Sequence, residues 1–169
     1  HNTKNKNINY YIHTHEQSVG HAATGYAKAT GKMGVSIVTS GPGLTNIITP
    51  MLDSTNDSTP LMVISGQVGT NVMGTNAFQE CDAVNLSKPA TKFSYCIKNI
   101  EEIPYIMDIA YNVANNGKKG AVHIDLPKDI SSSVFQNSLS IKSEIKLIKL
   151  HNDILFNNIK EQYKFKNIY

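Results

Sequence analysis

The 169-residue sequence has no tryptophan and only two cysteines, Cys81 and Cys96. Two isolated cysteines are too few for a disulfide framework or a cysteine-rich zinc site, so an intracellular, reducing environment is expected, in cytoplasm or organelle. No apolar run approaches the roughly 18 residues of a membrane span, and residues 1–9 lack the apolar core of a signal peptide. The sequence also opens without methionine, from which we expect residues upstream of His1. Basic charge is not gathered in one place. The net charge of +3 comes from lysines toward the two ends, such as Lys4, Lys6, Lys142, Lys146, Lys160 and Lys166, with no basic stripe interleaved with aromatics. Neither a nucleic acid nor a membrane is therefore an expected partner.

Familiar catalytic signatures are missing as well. No lysine follows the last glycine of Ser40-Gly41-Pro42-Gly43, and no GxGxxG occurs, which excludes a Walker loop and a dinucleotide fingerprint. His15 and His21 are six apart, whereas two zinc-binding histidines on one helix face are four apart. Asn56-Asp57-Ser58 and Asn85-Leu86-Ser87 match glycosylation acceptors, but without a secretory signal both read as chance matches.

What is present is an alternation of strand and helix. Tyr10 to Thr14 is aromatic and β-branched and reads as a short strand ending at His15-Glu16. A helix rich in glycine and alanine follows from Ser18 to Thr30, its small residues allowing close backbone approach, with Gly31 as its stop. Val35 to Thr39 is the next strand, and Ser40 is placed to cap a helix from Pro42 to about Ser54. Leu61 to Ser65 is an unbroken apolar strand of the kind buried on both faces of a parallel sheet. Gly66 to Glu80 reads as a long loop, Lys92 to Ile97 as a strand, Ile103 to Asn115 as a helix closed by Gly117, and Ala121 to Leu126 as a last buried strand cut by Pro127. The pattern predicts an α/β domain with a mostly parallel sheet flanked by helices. Residues 1–9 read as a polar end, 10–130 as the domain and 131–169 as a linker or irregular tail with at most one helix, around Asp153 to Tyr163.

Two features stand where ligands of such sheets gather, the crevices at the carboxyl ends of strands. Glu16 sits where a strand hands over to a helix, although an acid in a first helical turn is also favoured by the helix dipole alone. Ser40-Gly41-Pro42-Gly43 reads equally as a tight turn or as a place where backbone approaches a flat ligand.

Four ordered blocks carry a resemblance: HEQSVGHAATGYAKATGK (His15 to Lys32), TSGPGLTN (Thr39 to Asn46), GQVGTNVMGTNAFQE (Gly66 to Glu80) and VHIDLPKDI (Val122 to Ile130). Together they resemble the pyrimidine-binding domain of thiamine-diphosphate enzymes, lacking its first strand, and within that group the catalytic large subunits of acetolactate synthase. The resemblance implies decarboxylation of pyruvate and its joining to a second 2-keto acid in branched-chain amino acid biosynthesis. It implies that Glu16 hydrogen-bonds a ring nitrogen of the aminopyrimidine, where a dry pocket would raise the pKa of a carboxyl and suit it to sharing a proton. It places Pro42 and Asn46 near that ring, Gln79 beside coenzyme and substrate, Phe78 next to it, and Lys128 at the substrate entrance.

The resemblance further implies a second catalytic subunit, as homodimer or higher oligomer, and a regulatory small subunit. Magnesium would be held by ligands outside this chain. Lys118 stands where the family uses an arginine toward FAD, and a single ammonium cannot reproduce a guanidinium fork. Gly69 replaces the usual proline of Gly-Gln-Val-Pro, and Asn76 the usual aspartate of Gly-Thr-Asp-Ala-Phe. With the magnesium-binding motif absent, this chain alone is expected to be inactive. Two alternatives stand beside this reading: a non-catalytic relic or subunit-interaction module of the same fold, and another thiamine-diphosphate carboligase or decarboxylase.

Overall fold

A computed structural model describes residues 8–134. The helix expected around Asp153 to Tyr163 lies outside the described residues. Four strands, β1 (Gly34–Val38), β2 (Leu61–Gln67), β3 (Phe93–Cys96) and β4 (Ala121–Pro127), form one parallel sheet in the order β1-β2-β4-β3. Five helices connect or flank them: α1 (Glu16–Thr30), α2 (Pro42–Asn56), α3 (Ala83–Ser87), α4 (Ile103–Asn115) and α5 (Lys128–Ser131). The expected parallel α/β fold is what forms.

Register sorts the side chains by face. Val35 lies beside Met62, Met62 beside Val122 and Val122 beside Phe93, so these residues share one face with Ile64, Ile124 and Tyr95. On that face α4 packs Ile106, Ile109, Ala110, Val113 and Ala114 into an apolar cluster with Met62, Val122 and Ile124. The opposite face joins Val38, Leu61, Val63 and Ala121 to α1 and α2 through Ala23, Leu44, Ile47 and Met51. Burying each such aliphatic side chain is worth about 1.5–3 kcal/mol, and the strand period of two is what assigns it to a cluster.

The small-residue pattern of α1 has its expected use. A Cβ on Gly20 would come within 2.3 Å of the Pro50 ring and 2.9 Å of Ile47, so α1 and α2 pack closely only because Gly20 has none. Gly31 ends α1 in the left-handed conformation, φ 72°, with its N–H on the Ala27 carbonyl.

Three local expectations differ from the structure. Tyr10 to Thr14 forms no strand: these residues are exposed and pair with no strand among the described residues, and apolar composition cannot hold a strand without a neighbouring edge. Ser40 does not cap α2: the N-cap is Gly41, and no side chain caps that end. The segment read as loop from Gly66 begins as strand, since β2 continues through Gln67 to pair with Pro127, and α3 with a 3-10 turn (Lys88–Ala90) then precedes β3.

Candidate functional site

Because α1 leads into the start of β1, its own N-terminus lies at the opposite edge of the sheet, where the strands end. His15 is the residue that opens it. Its Nδ1 accepts the Gln17 N–H at 3.1 Å, a cap that leaves Glu16 in the first turn. The α2 helix starts at the same edge, directly after β1, with Pro42 in its first turn and Asn46 one turn on. The two helix starts meet through one bond, in which Asn46 Nδ2 donates to Glu16 Oε2 at 3.0 Å. This contact joins two residues 30 positions apart that the resemblance assigns to one ring.

Glu16 is not in a dry pocket in this chain. It is partly exposed, and the Asn46 amide, helped by the Glu16 backbone N–H, holds its carboxyl below the usual range. The expected upward shift needs water removed from this edge, which no described residue of the chain does.

The glycine turn is explained from within the protein. Gly41 has φ 54°, and a Cβ there would come 2.6 Å from the carbonyl oxygen of Gln79. The space that a side chain would occupy is therefore filled by the backbone of the 68–81 loop, so packing within the chain is enough to require glycine at 41. Gln79 itself is held at φ 61°, a conformation that costs a non-glycine residue about 1 kcal/mol or more. Phe78 beside it is 88% exposed.

Glu80 organises this loop, a role that the sequence did not signal. Its carboxylate accepts the N–H of Gly74 through Oε1 and of Ala77 through Oε2, which keeps it ionised below the usual range. Asn76 sits inside that turn at φ 59°, which asparagine tolerates better than most residues. At the loop's start, Asp129 accepts both the backbone N–H and the hydroxyl of Thr70. Asp129 is in α5, so the loop is tied to the element that opens with Lys128 after β4.

Glu16, Pro42, Asn46, Gln79 and Lys128 thus share the edge where the strands end. Lys118 does not. It precedes β4, and the seven residues of β4, about 23 Å of strand, separate its edge from that of Lys128. Among the described residues no group of three or more His, Cys, Asp and Glu side chains is arranged to hold a metal ion, and no helix is long and apolar enough to cross a membrane.

Beneath the edge lies a buried polar cluster that the sequence reading also missed. Asp125, 1% exposed, accepts hydrogen bonds from Ser65 Oγ at 2.7 Å and Gln67 Nε2 at 2.9 Å. His123 Nε2 lies 2.8 Å from Ser65 Oγ, and its Nδ1 lies 2.8 and 2.9 Å from the hydroxyls of Ser87 and Ser94. Burial drives the His123 ring down to about 4 and the Cys96 thiol up to about 12, while it raises the Asp125 carboxyl against its donors. The signal available in the sequence was the run of polar residues, Ser65, Gln67, His123 and Asp125, at every second position of two otherwise apolar strands.

Comparison with known proteins gives the family. Residues 1–86 match the family described as thiamine pyrophosphate enzyme, N-terminal TPP binding domain. The chain is 44% identical over 138 residues to the mitochondrial acetolactate synthase catalytic subunit of Saccharomyces cerevisiae, covering 82% of this chain and 20% of that protein. It is 43% identical over 142 residues to the mitochondrial acetolactate synthase of Schizosaccharomyces pombe, covering 84% and 21%. With the acetolactate synthase large subunit of Buchnera aphidicola it shares 49% over 123 residues, 73% of this chain and 22% of that one. The chain therefore spans about a fifth of the length of the curated relatives it matches. The chain belongs to the thiamine pyrophosphate enzymes, as an N-terminal TPP-binding domain homologous to acetolactate synthase catalytic subunits.

Proposed function

We propose that this chain supplies the aminopyrimidine half of the active site of an acetolactate synthase, which decarboxylates pyruvate and joins it to a second 2-keto acid. The observation that carries the proposal is the Asn46–Glu16 bond, because it holds a carboxylate at the crevice edge with its direction fixed. The residues fit an aminopyrimidine: Oε2 of Glu16 is occupied by Asn46, and the partly exposed carboxyl group can still meet a ring nitrogen. When bound, thiamine diphosphate supplies the electron sink for loss of carbon dioxide from a 2-keto acid.

The protein's part is to hold and move a proton at Glu16. In water the carboxyl stays ionised; with water excluded by a second subunit, desolvation pushes its pKa toward that of a ring nitrogen and lets the two share a proton. Pro42 and Asn46 would lie near the ring, Gln79 beside coenzyme and substrate with Phe78 next to it, and Lys128 at the substrate entrance. Magnesium binds to ligands outside this chain. Lys118 lies at the other edge of the sheet, so any contact with FAD is separate from the Glu16 edge.

The test is Glu16→Gln in the complete synthase bearing these residues. Turnover should fall on the order of 10²-fold or more, the upper range for loss of a positioned acid or base. Near-normal turnover would remove Glu16 from the reaction. The alternative, a non-catalytic interaction module, is supported by the uncovered apolar side chains of β1, Val35 and Ile37. It predicts that the chain binds a full-length catalytic subunit and adds no thiamine-dependent activity.

A further inference from the structure

Gln67 ends β2, is 5% exposed, and uses its whole amide at the base of the loop that carries Gln79. Its Oε1 accepts the N–H of Val68 at 2.9 Å, at the loop's start. Its Nε2 donates to the carbonyl of Cys81 at 3.0 Å, at the loop's end, and to Asp125 Oδ2 at 2.9 Å on the neighbouring strand. One side chain therefore closes both ends of a segment of about a dozen residues and fastens the closure to the sheet. The same loop end lies against the start of α2, because Gly41 packs on the Gln79 carbonyl.

We propose that Gln67 and Asp125 are positioning residues that set where Gln79 stands relative to Glu16 and Asn46. This rests on the reading of Gln79 as a residue beside coenzyme and substrate. A purely stabilising role is the weaker account. A buried amide and carboxylate gain little net stability over apolar side chains of the same shape, and loss of one partner leaves the other buried and unpaired. Their directional bonds to Val68 and Cys81 do what an apolar pair cannot, which is to fix the register of two loop ends. Reacting groups misplaced by about 1 Å cost up to 10²-fold in rate, so a closure of this kind acts on turnover before it acts on binding.

The experiment is a double-mutant cycle in the complete synthase, with Gln67→Met, which keeps the length and removes the hydrogen bonds, and Gln79→Ala. We expect each single variant to lower kcat by about 10-fold or more with little change in KM, and the double variant to lie within about 2-fold of Gln79→Ala alone. A merely structural role would instead leave the two losses in kcat to multiply, whatever the change in melting temperature, since on both accounts losing a buried partner destabilises the chain. The inference is overturned if Gln67→Met turns over within about 2-fold of the parent, or if its cost persists in full when Gln79 is already alanine. If Gln79→Ala leaves kcat unchanged, the reading of Gln79 falls and takes the inference with it, an outcome distinct from the other two. Should Gln67→Met not be recovered folded, Gln67→Glu, isosteric and without the amide donor, enters the same cycle under the same criteria.

Discussion

The two faces of this sheet are built from the same strands and do different work. The face under α4 is apolar from end to end, with Met62, Val122, Ile124 and Ile97 buried against Ile106, Ile109 and Val113. On β2 and β4 the face under α1 and α2 is apolar only toward the start of the strands, through Leu61, Val63 and Ala121. Toward their ends it turns polar, through Ser65, Gln67, His123 and Asp125. That polar end lies directly beneath the edge where Glu16, Asn46 and the Gln79 loop gather. Both faces hold the fold together, and the face under α1 and α2 also carries bonds whose directions reach the candidate site.

The largest effect that would break this contrast is on stability. Ile124 is 2% exposed on the α4 face, and Ile124→Ala should cost about 2–5 kcal/mol, read from the urea midpoint. In the complete synthase, carboligation per folded molecule should stay at the parent level. A large fall in kcat would mean that the apolar face also reaches the site.

The polar face should answer to pH. The His123 ring, driven down to about 4 by burial, stays neutral in the folded chain where an unfolded histidine has begun to charge. Between pH 6.5 and about 4 the unfolded chain binds more protons, so stability is lost as pH falls through that window, by up to about 3 kcal/mol. Asp125 works in the opposite direction. Its raised pKa makes the folded chain the better proton binder above the ordinary aspartate range, which offsets part of the loss. His123→Asn keeps Asp125 and removes the imidazole, so its urea midpoint should fall less than the parent's between pH 7 and pH 4.5. Equal losses in the two proteins would place the acid sensitivity outside the cluster.

The same contrast shows why the fold was more legible than the site. The unbroken apolar runs of β2 and β4, the glycine after α1 and the proline at the start of α2 are local signals, and each marked its element in the sequence. Hydrogen bonds between distant residues leave no such mark. Nothing near Glu80 announces that its carboxylate collects the Gly74 and Ala77 amides, and nothing near Ser40 says that Gly41 will take the cap position because the Gln79 backbone lies on it. Glu16 stood out in the sequence through the resemblance, whereas the state of its carboxyl in the chain alone was not legible, because that depends on Asn46 and on solvent at the edge. Tyr10 to Thr14 failed in a related way. Its composition suits a strand, and only the presence of a neighbouring edge makes one.

The smallest effect tests where the apolar face stops. β1 continues that face in register, Ile37 beside Ile64, yet Val35 and Ile37 are 52% and 72% exposed because α4 packs chiefly over β2, β4 and β3. Ile37→Thr keeps the β-branch and the strand propensity and removes only apolar surface. In the 169-residue chain it should change stability by no more than about 0.5 kcal/mol, against several for Ile124→Ala two strands away. A cost of 2 kcal/mol or more at Ile37, measured the same way, would mean that this edge is covered in solution and that the apolar face extends across all four strands.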